Sequence, residues 1–328
     1  MIPLLRRSRI DLLLLLVAAA WGSTYLVAKE LVSPSSVAAL LAVRMFSAAA
    51  VLGTIAAIRR HRAKAGELRT GSILGLLLAA VFACETLGIA HTSATNAGLI
   101  ISLTMVFTPV LDAAVSRRRL PGRFLLAAVL AVIGVALLAG NGSLRPPTFG
   151  DALILTAAVV RAVHVTSMSR LAGGRPMDSL HLTTVQLATC AVIFGAVSLF
   201  AGDPVPQYLG RLSLREGALF LYLVLGCTVF AFLVQTWAVR RTSPARVSLL
   251  LGTEPIWAAV IGIAIAQDQV APAGYVGIAL ILAGVAWGRS IEQREDEAAV
   301  TLIPPPAEPP PAAAPAPGAA AGSGRGPR

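Results

Sequence analysis

Apolar positions along this chain fall in ten long runs, not in stripes. The runs cover about residues 10–28, 36–58, 71–90, 95–115, 124–139, 150–170, 179–200, 217–239, 245–266 and 272–288. Each approaches the ~20 residues that an α-helix needs to cross a bilayer. A stripe recurring every three or four residues would mark the half-buried helix of a soluble protein. Alternation over ~10-residue segments would mark a membrane barrel. Residues 12–20 show neither pattern. Turn formers punctuate the runs at Ser33-Pro34, Gly122, Gly140-Asn141-Gly142, Gly173-Gly174, Pro204-Val205-Pro206 and Pro272,. The pattern predicts an all-α integral membrane protein of ten transmembrane helices joined by short loops.

The runs also repeat. Thr92-Ser93 opens the fourth run and Thr242-Ser243 the ninth (242 − 92 = 150). The same offset pairs Gly134 with Gly284, Glu85 with Gln235 and Thr104 with Glu254. Asp11 matches Asp151 (151 − 11 = 140), which sets Trp21 opposite Arg161 and Thr24 opposite His164. Arg44 falls opposite Gln186 (186 − 44 = 142). Self-similarity of this kind marks a duplicated unit. Five is an odd number of crossings, so the second unit is expected upside down, a build common among secondary transporters. The division is 10–140 for the first repeat, 149–290 for the second, and 291–328 for a Pro/Ala-rich tail expected to be disordered and cytoplasmic,.

Composition fits a bilayer. The chain has 328 residues, 56% hydrophobic and 13% charged, with mean hydropathy +0.77; a soluble domain carries roughly 25% charged residues. Net charge is +11, almost all from arginine, since Lys29 and Lys64 are the only lysines. The arginines sit at run ends, where the positive-inside rule places them, so the membrane and not a nucleic acid is their expected partner. With the N-terminus inside, cytoplasmic loops hold Arg59, Arg60, Arg62, Lys64 and Arg69, then Arg117, Arg118, Arg119 and Arg123, then Arg170 and Arg175, then Arg240 and Arg241. The opposite loops are nearly bare. The exception carries Arg211 and Arg215, partly offset by Asp203 and Glu216. Equivalent loops exchange charge as inversion demands: Arg117, Arg118 and Arg119 become Gln267, Asp268 and Gln269, and His91 becomes Arg241. Both termini are therefore expected in the cytoplasm of a multi-pass protein of the inner (plasma) membrane, and the Arg- and Ala-rich usage hints at a high-GC bacterial genome. The basic start and Ala18-Ala19-Ala20 also suggest a signal peptide, but the run continues past the alanines and belongs to a repeat.

Cys84, Cys190 and Cys227 lie inside apolar runs and show neither metal spacing nor a disulfide framework,. The chain has no His-Glu-x-x-His, no Gly-x-Ser-x-Gly and no phosphate loop,. No catalytic residue, metal or cofactor is expected, and an ATP-driven pump would lack its motor.

Several short stretches carry a resemblance: Trp21-Gly22-Ser23, the segment Leu40 to Phe46 around Arg44, Thr92-Ser93-Ala94 leading into Ser102-Leu103-Thr104-Met105, Thr242-Ser243-Pro244 leading into Glu254-Pro255, and Ile133-Gly134-Val135 with Ala283-Gly284-Val285. In this ordered set the chain resembles the drug/metabolite transporter superfamily, specifically its ten-helix members with two EamA-like repeats. The match covers about residues 10–290. Two departures stand out. The family's Gly-Glu pair after the fourth and ninth helices reads Ser116-Arg117 and Gln267-Asp268 here. The family's proline in Ser-Leu-Thr-Pro is Met105, with Pro109 four residues on, which would move the helix break by about one turn.

Ionisable groups near a helix centre cost at least about 2.5–3.5 kcal/mol, so each is a functional candidate. Glu85 lies well inside the third run; it could take up a proton or meet a substrate amine, or it could pair with Arg44. Its mate is Gln235. Arg161 and His164 share one helix face, as do their mates Trp21 and Thr24. The two faces read as walls of a cavity, with Arg161 for a substrate carboxylate and Trp21 for an apolar or cationic part; the plainer reading pairs Arg161 with Glu254. Arg44 and Gln186 are expected to face inward. Glu254-Pro255 breaks the ninth helix, which is tolerated where the chain lines a cavity; Glu254 serves gating or substrate contact, or pairs with Arg246 or Arg161. Asp112 is expected to be a local partner for the arginines.

The resemblance implies a secondary active transporter, a permease or exporter, of a small organic metabolite such as an amino acid, driven by an ion gradient. A same-fold exporter of cationic drugs or nucleobases, and a non-transporting sensor or scaffold, are the alternatives. The expected partners are the substrate, protons and the lipid bilayer, with a homodimer left open.

Overall fold

The computed structural model describes residues 2–59, 63–117, 119–139, 147–172, 175–239 and 250–301. All regular structure among these residues is helical: α1 (Ile2–Leu31), α2 (Val37–Ile58), α3 (Ala65–His91), α4 (Ala94–Ile101), α5 (Thr104–Ser116), α6 (Gly122–Ala139), α7 (Phe149–Ala172), α8 (Ser179–Ser198), α9 (Val205–Arg211), α10 (Leu214–Val224), a π-helical turn (Leu225–Phe230), α11 (Ala231–Val239), α12 (Glu254–Ala264) and α13 (Pro272–Thr301). Nine segments among the described residues are long and apolar enough to cross a membrane; α4 and α5 together form one (Ala94–Ser116), and α10 with the π turn and most of α11 another (Leu214–Gln235). The shorter apolar helix α12 lies in the ninth run. The first part of that run, with Thr242, Ser243, Pro244 and Arg246, lies outside the described residues. So do Arg60, Arg62, Arg118, Arg240 and Arg241.

The ends of the chain differ from the expected run limits. Helix α1 starts at Ile2 and α13 continues to Thr301. The added segments are rich in Leu and Arg, or in Glu, Gln and Ala, all good helix formers.

The fourth crossing breaks at Ser102-Leu103, not at Pro109. Leu103, Met105 and Val106 donate their amides to carbonyls three residues back, and Pro109 sits inside α5. The ninth crossing breaks at Gly252-Thr253, with Pro255 in the first turn of α12. These breaks are 150 residues apart, so the interruption belongs to the repeat and survives the replacement of the family's proline by Met105. Pro109 is accommodated because it removes one backbone bond without ending the helix, the freed carbonyl lying close to the break.

The loop after each of these crossings is matched as well. Arg117 (φ 54°) and Gln267 (φ 56°) are the only non-glycine residues with positive φ among those described, and they too are 150 apart. The glycine position of the family's Gly-Glu pair therefore falls on Arg117 in the first repeat, one residue later than the sequence comparison placed it. In the second repeat the acid is retained as Asp268, whose Oδ2 accepts from Thr95 N and Thr95 Oγ1, both at 2.8 Å.

Close packing runs through small residues. Helices α6 and α13 touch backbone to backbone: a Cβ on Gly134 would lie 2.6 Å from the Gly277 carbonyl oxygen, and one on Gly284 2.7 Å from that of Ala127. Gly71 and Gly75 admit Val185 and Thr189 of α8 against α3, and Gly22 admits Trp257 of α12 against α1. These glycines thus serve close packing within the chain,.

Polar groups at helix ends are satisfied in pairs. Buried Asp151 accepts from Thr92, Asn96 and Thr148. Buried Glu67 accepts from Lys64 N at 2.8 Å and Asp178 N at 2.7 Å, with His181 Nδ1 at 3.5 Å, and so ties the start of α3 to the start of α8. Among the described residues, Asp112 pairs not with the adjacent arginine cluster but with Arg170 of α7, at 3.3 Å. Arg211 meets Asp203 at 3.0 Å as expected, but Arg215 pairs with Glu30 at 3.3 Å. The carboxylate of Glu216 instead accepts from Ser213 N and Oγ in a capping box,.

Candidate functional site

A cluster of charged and polar side chains occupies the centre of the bundle. Five helices supply it: Tyr25 from α1, Arg44 from α2, Glu85 from α3, Arg161 from α7 and Glu254 from the start of α12. Each sits at least six residues inside its crossing, or at the break in the ninth. Tyr25 Oη donates to Glu254 Oε1 at 2.7 Å and lies beside the Arg161 side chain. Arg161 lies within electrostatic reach of Glu85, Tyr25 and Glu254, and Arg44 within reach of Glu85 and Arg161. Two cations therefore face two carboxylates.

These four charges do not pair directly. Among the described residues, no carboxylate oxygen lies within 4.0 Å of either guanidinium. Glu85 is 5% exposed, and its Oε2 has no hydrogen-bond partner. Arg161 and Glu254 are only half-buried although deep in the chain, so they face a gap in the bundle. The direct pairs Arg44–Glu85 and Arg161–Glu254, offered by the sequence as the plainer readings, are absent, because each guanidinium sits against something else. Arg44 lies over the Phe82 ring, 5.1 Å from its centroid, and donates to Thr228 Oγ1 from Nε at 3.4 Å and Nη2 at 3.3 Å. Arg161 lies beside Tyr25. An unpaired buried charge costs several kcal/mol, which is tolerated where a ligand or water completes the set.

Thr228 is available to Arg44 because of the π turn. Its hydroxyl donates to the Leu223 carbonyl, five residues back, at 2.9 Å. Such turns often mark functional positions. Trp21 Nε1 donates to the neighbouring Cys227 carbonyl at 3.0 Å, and its ring meets Phe232 edge-on at 6.0 Å. Trp21 and Thr24 therefore line the seam of α1 with the π turn; Thr24 donates to the Ala20 carbonyl. His164 and Gln186 bond each other at 2.8 Å beside the cluster, with Arg161 as the charged neighbour of His164. Gln235 is half-buried on α11 and has no hydrogen bond to the cluster among the described residues. Of the nine residues singled out in the sequence, the structure brings Arg44, Glu85, Arg161 and Glu254 together, sets His164 and Gln186 at their edge, and places Trp21, Thr24 and Gln235 elsewhere. Tyr25 and Thr228 were missed. Tyr25 had one signal, a phenol on the same face as Trp21, four residues on; Thr228 had none.

The fold and its centre define a polytopic helical membrane protein of duplicated build, with unpaired charges at the repeat interface and a broken helix beside them. The model of the EamA-like transporter family matches residues 8–140 and again 148–287, and the chain belongs to that family. An uncharacterized transporter of Archaeoglobus fulgidus is 24% identical over 282 residues, covering 85% of each chain. The uncharacterized transporter YyaM of Bacillus subtilis is 25% identical over 278 residues, covering 80% of this chain and 88% of the relative. A crystal structure covering 88% of this chain and 99% of its own shares the fold at TM-score 0.58 and 18% identity. The protein is a multi-pass membrane transporter.

Proposed function

We propose that the chain is a secondary carrier for a small zwitterionic metabolite of amino-acid type, moved by alternating access and coupled to protons. The observation that carries this reading is the set of four central charges without direct pairing. Arg161 takes the substrate carboxylate. Glu85, with its unpartnered Oε2, takes the substrate amine on one half of the cycle and a proton on the other. Tyr25 and Glu254 join the substrate to the break in the ninth crossing, so occupancy bears on α12. On this reading both termini lie in the cytoplasm, which the arginine-rich loops support, and the host is the inner (plasma) membrane of a bacterium. A cationic substrate is the second reading, favoured by the free acceptor at Glu85.

Proteoliposomes under an imposed pH gradient, given a panel of labelled amino acids and organic cations, test both. Flux of an amino acid that Glu85→Gln uncouples from the gradient, and that Arg161→Ala abolishes, supports the reading. Flux of cations alone favours the second. Wild-type transport across pH by Glu85→Gln removes the coupling role.

A further inference from the structure

Asp268, in the loop between α12 and α13, reaches across the repeat boundary. Its Oδ2 accepts from both the amide and the hydroxyl of Thr95, at the first turn of α4. Thr95 is fully buried. The contact needs a small residue on the other side, since a Cβ on Gly262 would lie within van der Waals overlap of Thr95. It also needs the left-handed turn at Gln267, which delivers Asp268. Beside it, Lys29 Nζ donates to the carbonyls of Ile89 at 2.9 Å and Ala90 at 3.3 Å, capping α3, and lies in electrostatic reach of Asp268. Helices α1, α3 and α4 of the first repeat and α12 of the second are thereby fastened at one membrane face.

In sequence, the repeat carries no second copy of this residue set, and the counterparts Arg118 and Ala245 lie outside the described residues. At the same offsets, Asp268 corresponds to Arg118, Thr95 to Ala245, Gly262 to Asp112 and Lys29 to Ser169. The acceptor has become a cation, the hydroxyl a methyl, and the small residue a carboxylate. Among the described residues near Asp112, Arg170 joins the repeats through the half-exposed pair with Asp112 and a bond to Ser116 Oγ at 2.8 Å. A solvated pair contributes little, whereas two bonds to a carboxylate at a buried helix start contribute more.

We propose that Asp268 and Thr95 form a one-sided gate latch, which holds the carrier closed at the Asp268 face in the absence of substrate. The proposal rests on the transport reading only in assuming that the two faces open in turn. In a conformational cycle built from two repeats, this asymmetry of chemistry sets which face opens first.

Thiol accessibility tests it without a substrate. In a full-length chain with Cys84, Cys190 and Cys227 replaced by alanine, reporters are placed at the equivalent positions Ala28→Cys and Met168→Cys. Each is exposed to a membrane-impermeant maleimide in right-side-out and inside-out vesicles. The 28 reporter should react slowly from the Asp268 face, and Asp268→Asn should raise its rate at least tenfold while leaving the 168 reporter within twofold. Thr95→Val, which removes the hydroxyl bond and keeps the amide, should give a smaller rise in the same direction and serves if Asp268→Asn does not fold. Fast labelling of the 28 reporter in the chain with the latch intact, or no change with either substitution in folded protein, overturns the latch. Transport activity is read separately, so a failed latch leaves the carrier reading standing.

Discussion

The central charge set makes a strong prediction for double-mutant cycles. Arg44 and Arg161 balance Glu85 and Glu254, so the cluster is neutral as a group although no two members touch. Glu85→Gln alone leaves two guanidiniums against one carboxylate, and Arg161→Met alone leaves the reverse. Stranding a buried charge costs about 3–5 kcal/mol where the pair is direct. Here the partners are beyond 4.0 Å, so the loss is smaller. Beyond contact distance and at an effective dielectric of about 20, one charge pair contributes on the order of 2 kcal/mol. The double variant Glu85→Gln/Arg161→Met restores neutrality and should be more stable than the sum of the singles by that amount. Thermal unfolding in nanodiscs reads this directly: at about 2 °C per kcal/mol for a chain of this size, the double should melt some 4 °C above the additive value. Ile281→Ala on α13, fully buried against α6 on a helix that supplies no cluster residue, should add to either single without coupling. A coupling under about 0.5 kcal/mol, no larger than this control, would refute the picture of four mutually dependent charges.

Two further predictions concern the frame. Arg117→Gly and Gln267→Gly replace exposed residues held at positive φ; each should stabilise the protein by about 0.5–1 kcal/mol, seen as a rise in melting temperature, and the two should add. Gly134→Val pushes side-chain atoms into the Gly277 carbonyl and should cost about 1–3 kcal/mol, whereas Gly122→Ala, which meets nothing within 4 Å, should leave the melting temperature almost unchanged,.

Much of the architecture was legible from the chain because a bilayer imposes simple demands. Twenty apolar residues in a row have few other uses, and the offset of 150 gave the equivalence of the two halves. The charges of the site were legible for the same reason: Arg44, Glu85, Arg161 and Glu254 are expensive where they sit. How they are held was not legible. Tyr25 carries no charge, and its importance follows from reaching both Glu254 and Arg161 across helix boundaries. The break at Ser102-Leu103 was hidden by Pro109, which draws the eye to itself. Glu216 offset the charge of Arg215 in the sequence, yet its carboxylate caps its own helix and Arg215 pairs with a glutamate 185 positions away.

The π turn at Leu225–Phe230 changes what equivalence between the repeats can mean. A turn closed by i→i+5 bonds takes up about one residue more than an α-helical turn, so the residues after it sit about 100° away from where α-helical counting puts them. Glu85 and Gln235 keep perfect step when counted along the chain, but α3 is continuous where its counterpart contains this wide turn. Counting therefore delivers the right partner helix and the wrong side of it. The eighth crossing is a threaded screw advanced by one notch: its far half shows the centre of the protein a different set of side chains from the one the duplication first placed there. A single wide turn, absorbed without breaking the helix, is enough to make two halves of equal count into unlike walls.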